Sequence, residues 1–103
     1  MTEFVVILST APEDDADEIA RCLVEEGLAA CVNISQVKSH FKWGGKVSEE
    51  IEYMMIIKTR SDLVIRLKAR IKELHSYELP EFIVLPIIGG DEGYLKWVEH
   101  AVD

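Results

Sequence analysis

The stretch that decides the fold is residues 28–59, which read LAACVNISQVKSHFKWGGKVSEEIEYMMIIKT. Apolar residues alternate along its first arm and share one face: Leu28, Ala30, Val32 and Ile34. A period of two is typical of a β-strand. Gly44-Gly45 in the middle is a hairpin turn signal. The stretch therefore predicts two long antiparallel strands, from Leu28 to about Trp43 and from Lys46 to Thr59.

A strand and a helix precede this hairpin. Glu3 to Ser9 contains a continuous apolar, β-branched run, which predicts a strand buried on both faces. Glu13 to Glu26 is predicted to form a helix. It begins with acidic residues, which favour the positive N-terminal end of a helix dipole. Its apolar residues form one stripe: Ala16, Ile19, Ala20, Leu23 and Val24. Gly27 then stands where a left-handed helix C-cap is expected.

A second helix, a fourth strand and a last helix follow the hairpin. Ser61 is a candidate N-cap for the second helix, which Pro80 prevents from continuing. The buried stripe of this helix is Val64, Leu67, Ile71 and Leu74. Phe82 to Ile88 predicts a strand that lies at an edge or carries a bulge, because Pro86 lacks a ladder donor. Asp91 is expected to cap a short helix with this buried side: Tyr94, Leu95, Val98, Ala101 and Val102.

The element order is β-α-β-β-α-β followed by a helix. This order predicts a single α+β domain over residues 1–103, with a ferredoxin-like sandwich, a long β2-β3 hairpin and a C-terminal helix. Two helices would cover one face of the sheet, and the other face would still carry apolar side chains. A patch of that size favours self-association.

Composition and charge exclude several classes of partner. The 103 residues contain 11 Lys and Arg against 19 Asp and Glu, a net charge of -8. This balance argues against nucleic acid and anionic membranes as partners, and it favours cations. No apolar run is long enough to span a membrane, and no signal peptide is expected. The two cysteines, Cys22 and Cys31, make no disulfide framework, so a cytoplasmic location is predicted.

The sequence offers few residues that could take part in catalysis or in metal binding. The sequence has no nucleophile-elbow motif and no coherent acid/base pair, so we expect no enzymatic activity. His75 and Glu78 are three residues apart and could meet on one side of a turn, where a histidine and a carboxylate can share a metal ion. The alternative is that His75 only satisfies carbonyls at a helix end. Cys31 can likewise be a small apolar core residue, and Trp43 a packing anchor.

Six segments together resemble the CutA divalent-cation tolerance proteins, in order and over nearly the whole chain. They are Leu8-Ser9-Thr10-Ala11-Pro12, Gly27-Leu28-Ala29-Ala30-Cys31-Val32-Asn33, Trp43-Gly44-Gly45-Lys46, Ile57-Lys58-Thr59, His75-Ser76-Tyr77-Glu78-Leu79-Pro80-Glu81, and Leu85-Pro86-Ile87 with Tyr94-Leu95-Lys96-Trp97. The resemblance implies a ferredoxin-like fold, a tight homotrimer, tolerance to copper and other divalent cations, and no established reaction.

The resemblance also assigns candidate metal ligands. Cys31 matches the cysteine of the family's Leu-Ala-Ala-Cys motif, and His75 matches the histidine of its His-Pro-Tyr motif. Glu78 and Glu81 match carboxylates that often follow. The chain departs from the family at Ser9, Leu74 and Ser76, where some members carry Cys, His and Pro. A site built from His75 and carboxylates is harder, in the sense of hard and soft ligands, than a site with more thiolates. It favours Cu(II) or Zn(II) over Cu(I).

Two hypotheses follow. In the first, the chain is a cytoplasmic, trimeric metal-tolerance protein that binds a divalent cation through His75, Glu78 and Cys31. In the second, it is a signalling or sensor module that binds a small ligand or partner in clefts between subunits. The candidate residues for lining such clefts are Lys58, Tyr77, Glu81 and Trp43.

Overall fold

The computed structural model of the protein describes residues 3–103. Its elements are β1 (Phe4–Ala11), α1 (Glu13–Glu25), β2 (Cys31–Trp43), β3 (Lys46–Arg60), α2 (Val64–Leu74), β4 (Ile83–Pro86) and α3 (Glu92–Ala101), with a short 3-10 turn at Ser61–Leu63. The strands form one antiparallel sheet in the order β2-β3-β1-β4. This is the predicted α+β, ferredoxin-like arrangement, which is confirmed.

The helices α1 and α2 cover one face of the sheet. Residues directly opposite each other on antiparallel strands share a face, and Ile7 pairs with Ile57. Both are fully buried in the main core, together with Ile19 and Leu23 of α1 and Leu67 and Ile71 of α2. The predicted stripes of the two helices therefore point to the core, except that Val24 is 44% exposed.

The opposite side, called here the open face, has no helix across its middle. It carries half-buried and exposed apolar side chains in register: Val6, Leu8, Met54, Ile56, Ile83 and Leu85. The prediction that the first strand is buried on both faces is therefore wrong for the single chain. The odd-numbered side chains of β1 are buried, and the even-numbered ones from Phe4 to Leu8 are only half-buried.

The strand bounds differ from the predicted ones for local reasons. β2 begins at Cys31 instead of Leu28, because the N–H groups of Leu28 and Ala29 donate to the Leu23 carbonyl at the end of α1. Gly27 has the predicted positive φ, +73°. β4 runs from Ile83 to Pro86 instead of from Phe82 to Ile88, and the Ile87 N–H still donates to the Phe4 carbonyl oxygen at 3.0 Å just beyond it.

Of the two predicted helix N-caps, Ser61 and Asp91, only Asp91 is confirmed. Ser61 is the first residue of the 3-10 turn and makes no capping hydrogen bond, so α2 starts at Val64. Asp91 caps α3 as expected, because its carboxylate accepts from the Tyr94 N–H at 2.9 Å. Val98 and Val102 are buried, whereas Tyr94 and Ala101 are exposed, contrary to prediction.

The hairpin extends well beyond the other strands. β1 pairs with β3 only as far as the Ala11–Tyr53 pair, and β2 and β3 continue alone to the turn at Gly44 and Gly45. We call residues 37–52 the ribbon. It elongates the molecule to 45 × 25 × 22 Å. In the part of the chain that is described, no helix is long and apolar enough to cross a membrane.

Candidate functional site

A cleft of about 800 Å³ lies between the ribbon and the loop that follows α2. The ribbon contributes side chains from both of its strands, and the loop, residues 75–82, forms the opposite wall. The lining includes Phe41, Trp43, Glu50, Glu52, Tyr77, Glu78, Leu79, Pro80 and Glu81. Aromatic and carboxylate groups therefore share one concave surface, which is the usual character of a small-ligand site.

Glu52 and Tyr77 join the two walls of this cleft. The Tyr77 hydroxyl donates to Glu52 Oε2 at 2.9 Å. Glu52 is only 7% exposed, although it carries a carboxylate. Burial, followed by the hydrogen bond to Glu52 and its charge, raises the pKa of Tyr77 to about 12. The phenol therefore stays protonated and keeps donating to the carboxylate through the physiological range.

Glu81 brings a second carboxylate toward Glu52. The backbone carbonyl of Glu81 accepts from the Ser9 hydroxyl at 2.7 Å, which fixes the loop against β1. Burial and then the negative charge of Glu52 raise the pKa of the Glu81 carboxyl. Within residues 3–103, neither carboxylate forms an ion pair with Lys, Arg or His. His40 and Lys42 also line the cleft, but neither forms an ion pair with Glu52 or Glu81.

His75 supports the loop through both of its ring nitrogens. Nε2 lies 2.7 Å from the Thr10 carbonyl oxygen, so it carries the proton and donates. Nδ1 accepts from the Tyr77 N–H at 3.0 Å. The ring is 8% exposed. Metal binding by His75 stays a prediction, and it requires the ring to give up one of these two hydrogen bonds.

Cys31 and Lys58 lie away from the cleft, on the open face. They are paired across β2 and β3, and Lys58 Nζ lies 3.9 Å from Cys31 Sγ. The same ammonium group donates to the Asn33 side-chain oxygen. Of the residues predicted to line a cleft, Trp43, Tyr77 and Glu81 are brought together here, and Lys58 is not.

The predicted metal ligands do not form a site within one chain. Glu78 lies at the cleft, His75 is enclosed behind it, and Cys31 belongs to the far end of the sheet. Over residues 3–103, no three His, Cys, Asp or Glu side chains are close enough to hold a metal ion. Within residues 3–103 the three predicted ligands therefore lie apart, whereas Cu(II) and Zn(II) sites bring their ligands together.

The sequence contained a signal for the acidic wall that the ligand assignments left out. In β3, Glu50 and Glu52 continue the open-face series of Met54 and Ile56. On this strand face the apolar pair Met54 and Ile56 is followed toward the turn by the two carboxylates, and burial of an unpaired charge is unfavourable. That pattern marks the place where the sheet face becomes the cleft.

A second cavity, of about 720 Å³, surrounds Arg60 near the end of α3. Arg60 is already paired there: its guanidinium binds Asp62 and donates to the backbone carbonyl of Asp103. The guanidinium of Arg60 therefore joins β3 to the C-terminal residues. The cleft, whose charges are not paired in this way, is the stronger candidate site.

Known proteins resemble the chain along nearly its whole length. The divalent-cation tolerance protein CutA of Thermus thermophilus is 43% identical over 97 residues, covering 93% of this chain and 94% of that protein. A solved structure of the periplasmic divalent cation tolerance protein CutA from Archaeoglobus fulgidus superposes with a TM-score of 0.95. It is 40% identical and covers 97% of this chain and 99% of its own.

These relatives overturn the prediction of a cytoplasmic location. The Archaeoglobus protein is named as periplasmic. The Arabidopsis thaliana relative, Protein CutA, chloroplastic, is 40% identical over 99 residues, which are 94% of this chain and 54% of that protein. The cysteine content that motivated the prediction is thus compatible with several compartments, and two free cysteines do not distinguish among them.

The family assignment rests on the sequence and on the fold together. Residues 4–101 match the family described as CutA1 divalent ion tolerance protein, which is almost the entire described chain. Solved CutA structures from Archaeoglobus fulgidus and Thermus thermophilus superpose on this fold with TM-scores of 0.95 and 0.93. The chain therefore belongs to the CutA1 family of divalent-ion tolerance proteins.

Proposed function

We propose that the protein supports tolerance to divalent cations by binding them, without catalysing a reaction. The observation that carries this proposal is the pair of carboxylates, Glu52 and Glu81, which share a cleft with no basic partner in residues 3–103. Carboxylates that are not ion-paired in a partly desolvated cleft attract cations. The net charge of -8 adds to this attraction.

We propose that the working unit is a homotrimer. The apolar residues of β4, Ile83, Val84 and Leu85, are 39% to 46% exposed, and Ile88 just after them is 94% exposed. Ile83 and Leu85 extend the apolar open face of the sheet, and exposed apolar surface of this kind marks interaction sites. Burial against neighbouring copies removes it from water, and three copies is the number that the resemblance to CutA proteins implies.

Cu(II) or Zn(II) is the cation that we propose, with ligands shared between subunits. Glu78 lies at the cleft and is exposed, so it is available. Cys31 lies on the open face, which the trimer would bring against a neighbouring chain. His75 can join them only if its hydrogen bond to Tyr77 or to Thr10 is exchanged for the metal.

Calorimetric titration of Zn(II) and Cu(II) tests this assignment. We expect Glu78→Gln, Cys31→Ser and His75→Asn each to weaken binding at least about tenfold. Glu49→Gln is the matched control, because it removes one negative charge from the opposite face of the ribbon. Equal weakening in Glu49→Gln would contradict a defined site and would leave the acidic surface as the source of binding.

A second function is supported by the cleft itself: a sensor module that binds a small ligand. The volume of about 800 Å³ is in the range of small-molecule sites, and Trp43, Tyr77 and Glu81 line it. Thermal-shift measurements against a set of metabolites test this function. Stabilisation of the wild-type protein that Glu52→Gln abolishes would support it, and the absence of any shift would contradict it.

A further inference from the structure

We propose that the loop of residues 75–82 is a gate, and that it must open at Tyr77 before a divalent cation can bind His75. This inference rests on the proposed function, cation binding through His75, and it adds how that binding is regulated. Three features of the structure support it: the orientation of the His75 ring, the two hydrogen bonds that Tyr77 donates, and the separate attachment of the loop to β1.

The His75 ring has the anchoring that metal-bound histidines have. Its Nε2–H donates to the Thr10 carbonyl oxygen at 2.7 Å, and a metal-bound histidine almost always donates its other ring N–H to a carbonyl or a carboxylate. Thr10 lies within β1 and is paired with Met54 of β3, so this carbonyl is held by the sheet. The lone pair that a cation would take is therefore the one on Nδ1.

Tyr77 occupies that lone pair. The Tyr77 N–H donates to His75 Nδ1 at 3.0 Å, and the centroids of the two rings lie 4.7 Å apart. The same residue also covers a carboxylate, because its hydroxyl donates to Glu52 Oε2 at 2.9 Å. A proton donor and a cation cannot use one lone pair at the same time. The closed loop and cation binding at His75 therefore exclude each other.

The loop, rather than the strand, is the partner that can move. Residues 75–82 form no helix or strand, whereas Thr10 is part of the β1 ladder. Side-chain hydrogen bonds hold the loop against the sheet. The Tyr77 hydroxyl donates to Glu52, and the Ser9 hydroxyl donates to a carbonyl of the loop, that of residue 81, at 2.7 Å. Single bonds of this kind are weak, so the loop can open while the core stays folded.

Competition of this kind makes the affinity for the cation depend on how firmly the loop is closed. A protein whose binding-competent state is a small fraction of the population binds with its intrinsic affinity reduced by that fraction. Removal of a bond that holds the loop closed therefore raises the affinity for the cation, although it lowers the stability of the fold. A purely structural role for Tyr77 predicts the opposite, because a loosened site binds more weakly.

Calorimetric titration of Zn(II) tests the gate with two variants that release the loop from different sides. Tyr77→Phe removes the bond to Glu52, and Ser9→Ala removes the bond to the loop carbonyl without touching a candidate ligand. We expect each of them to tighten binding at least about fivefold. Thr59→Val is the matched control, because the buried Thr59 hydroxyl donates to a backbone carbonyl at 2.6 Å away from the loop. It should change the affinity less than about twofold.

Amide hydrogen exchange gives a second, independent measurement. Zinc binding should speed the exchange of the Tyr77 amide hydrogen, because the metal takes its acceptor, His75 Nδ1. A ligand that only stabilises the fold slows amide exchange instead. Circular dichroism and size-exclusion chromatography verify that each variant keeps the fold and the assembly of the wild type.

The possible outcomes separate the gate from the proposed function. Weakened or unchanged binding in both Tyr77→Phe and Ser9→Ala, with binding lost in His75→Asn, would overturn the gate and leave His75 supported as a ligand. Equal tightening in Thr59→Val would also overturn it, because general loosening of the fold would then explain the effect. Binding by His75→Asn as tight as that of the wild type would contradict His75 as a ligand, and the gate with it.

Discussion

The Tyr77 hydroxyl and Glu52 Oε2, 2.9 Å apart, form a hydrogen bond that joins the loop after α2 to the ribbon. Tyr77→Phe removes the donor and leaves a buried carboxylate oxygen without a partner. We expect the free energy of unfolding to fall by about 1–3 kcal/mol, measured by urea denaturation. Tyr94→Phe is the matched control, because Tyr94 is 44% exposed. A cost no larger than that of the control would contradict the importance of this bond.

The same tyrosine predicts a loss of stability at alkaline pH. Its pKa is raised to about 12 in the folded protein, mainly by burial and by Glu52, and the ordinary value in an unfolded chain is about 10. Above pH 10 the unfolded state therefore loses this proton before the folded state does, and stability falls as pH rises from about 10 to about 12. Tyr77→Phe should reduce this fall. Identical pH profiles for the two proteins would contradict the assignment.

The ionised Glu81 carboxylate is expected to lower the stability of the folded protein near neutral pH. Burial and Glu52 raise the pKa of its carboxyl, so folding favours the protonated form. At neutral pH, where the carboxyl is ionised, it therefore opposes folding, and the opposition disappears below the ordinary glutamate pKa of about 4.3. Glu81→Gln should raise the melting temperature at pH 7.5 and change it little at about pH 4. A lowered melting temperature at pH 7.5 would contradict this.

Two substitutions of His75 are expected to destabilise the protein to different extents. His75→Ala removes the partners of both the Thr10 carbonyl and the Tyr77 N–H, and each buried group left alone costs about 1–3 kcal/mol. An asparagine can still accept from the N–H two residues on, as in an Asx turn. His75→Asn should therefore cost less than His75→Ala in urea denaturation. Equal costs would show that the hydrogen bond to Tyr77 contributes nothing.

A charged side chain introduced on the open face is expected to break the assembly into single chains. Leu85 pairs with Val6 on that face and is 42% exposed. Leu85→Glu should lower the mass measured by light scattering to that of one chain, since a buried charge is unfavourable. Ile65→Glu, on α2, is the control, because Ile65 is 84% exposed in the single chain. If both variants keep the wild-type mass, the open face is not the interface.

Periodicity was sufficient to predict the elements of this fold. The alternation in β2 and β3, the two turn glycines and the helix stripes each depend on local sequence, and the structure follows them closely. The differences come from contacts between elements. The N–H groups of Leu28 and Ala29 bond to the end of α1, which delays the start of β2. The C-terminal helix α3 packs through Val98 against Ala30 and Leu63, and Tyr94 stays 44% exposed outside that cluster.

The site was harder to predict because it depends on long-range partners. The position of His75 at the end of a helix predicts either a metal ligand or a partner for the last helix carbonyls, whereas its ring is held by the carbonyl of Thr10, 65 residues away. Glu52 carried a pattern in the sequence, but its neighbour Tyr77 comes from a loop with no periodicity at all. Local spacing indicates which side chains share a strand face, and it does not indicate which loop will close over them.

The ribbon has a kinetic consequence. Two strands without further neighbours are marginally stable in water, and beyond the Ala11–Tyr53 pair nothing in β1 supports them. Amide hydrogens between Val37 and Trp43 should therefore exchange with solvent through local opening, long before those of β1. Every such opening separates Phe41 and Trp43 from the loop that carries Glu81. The frequency of this fraying would set an upper limit on how fast a molecule enters or leaves the cleft.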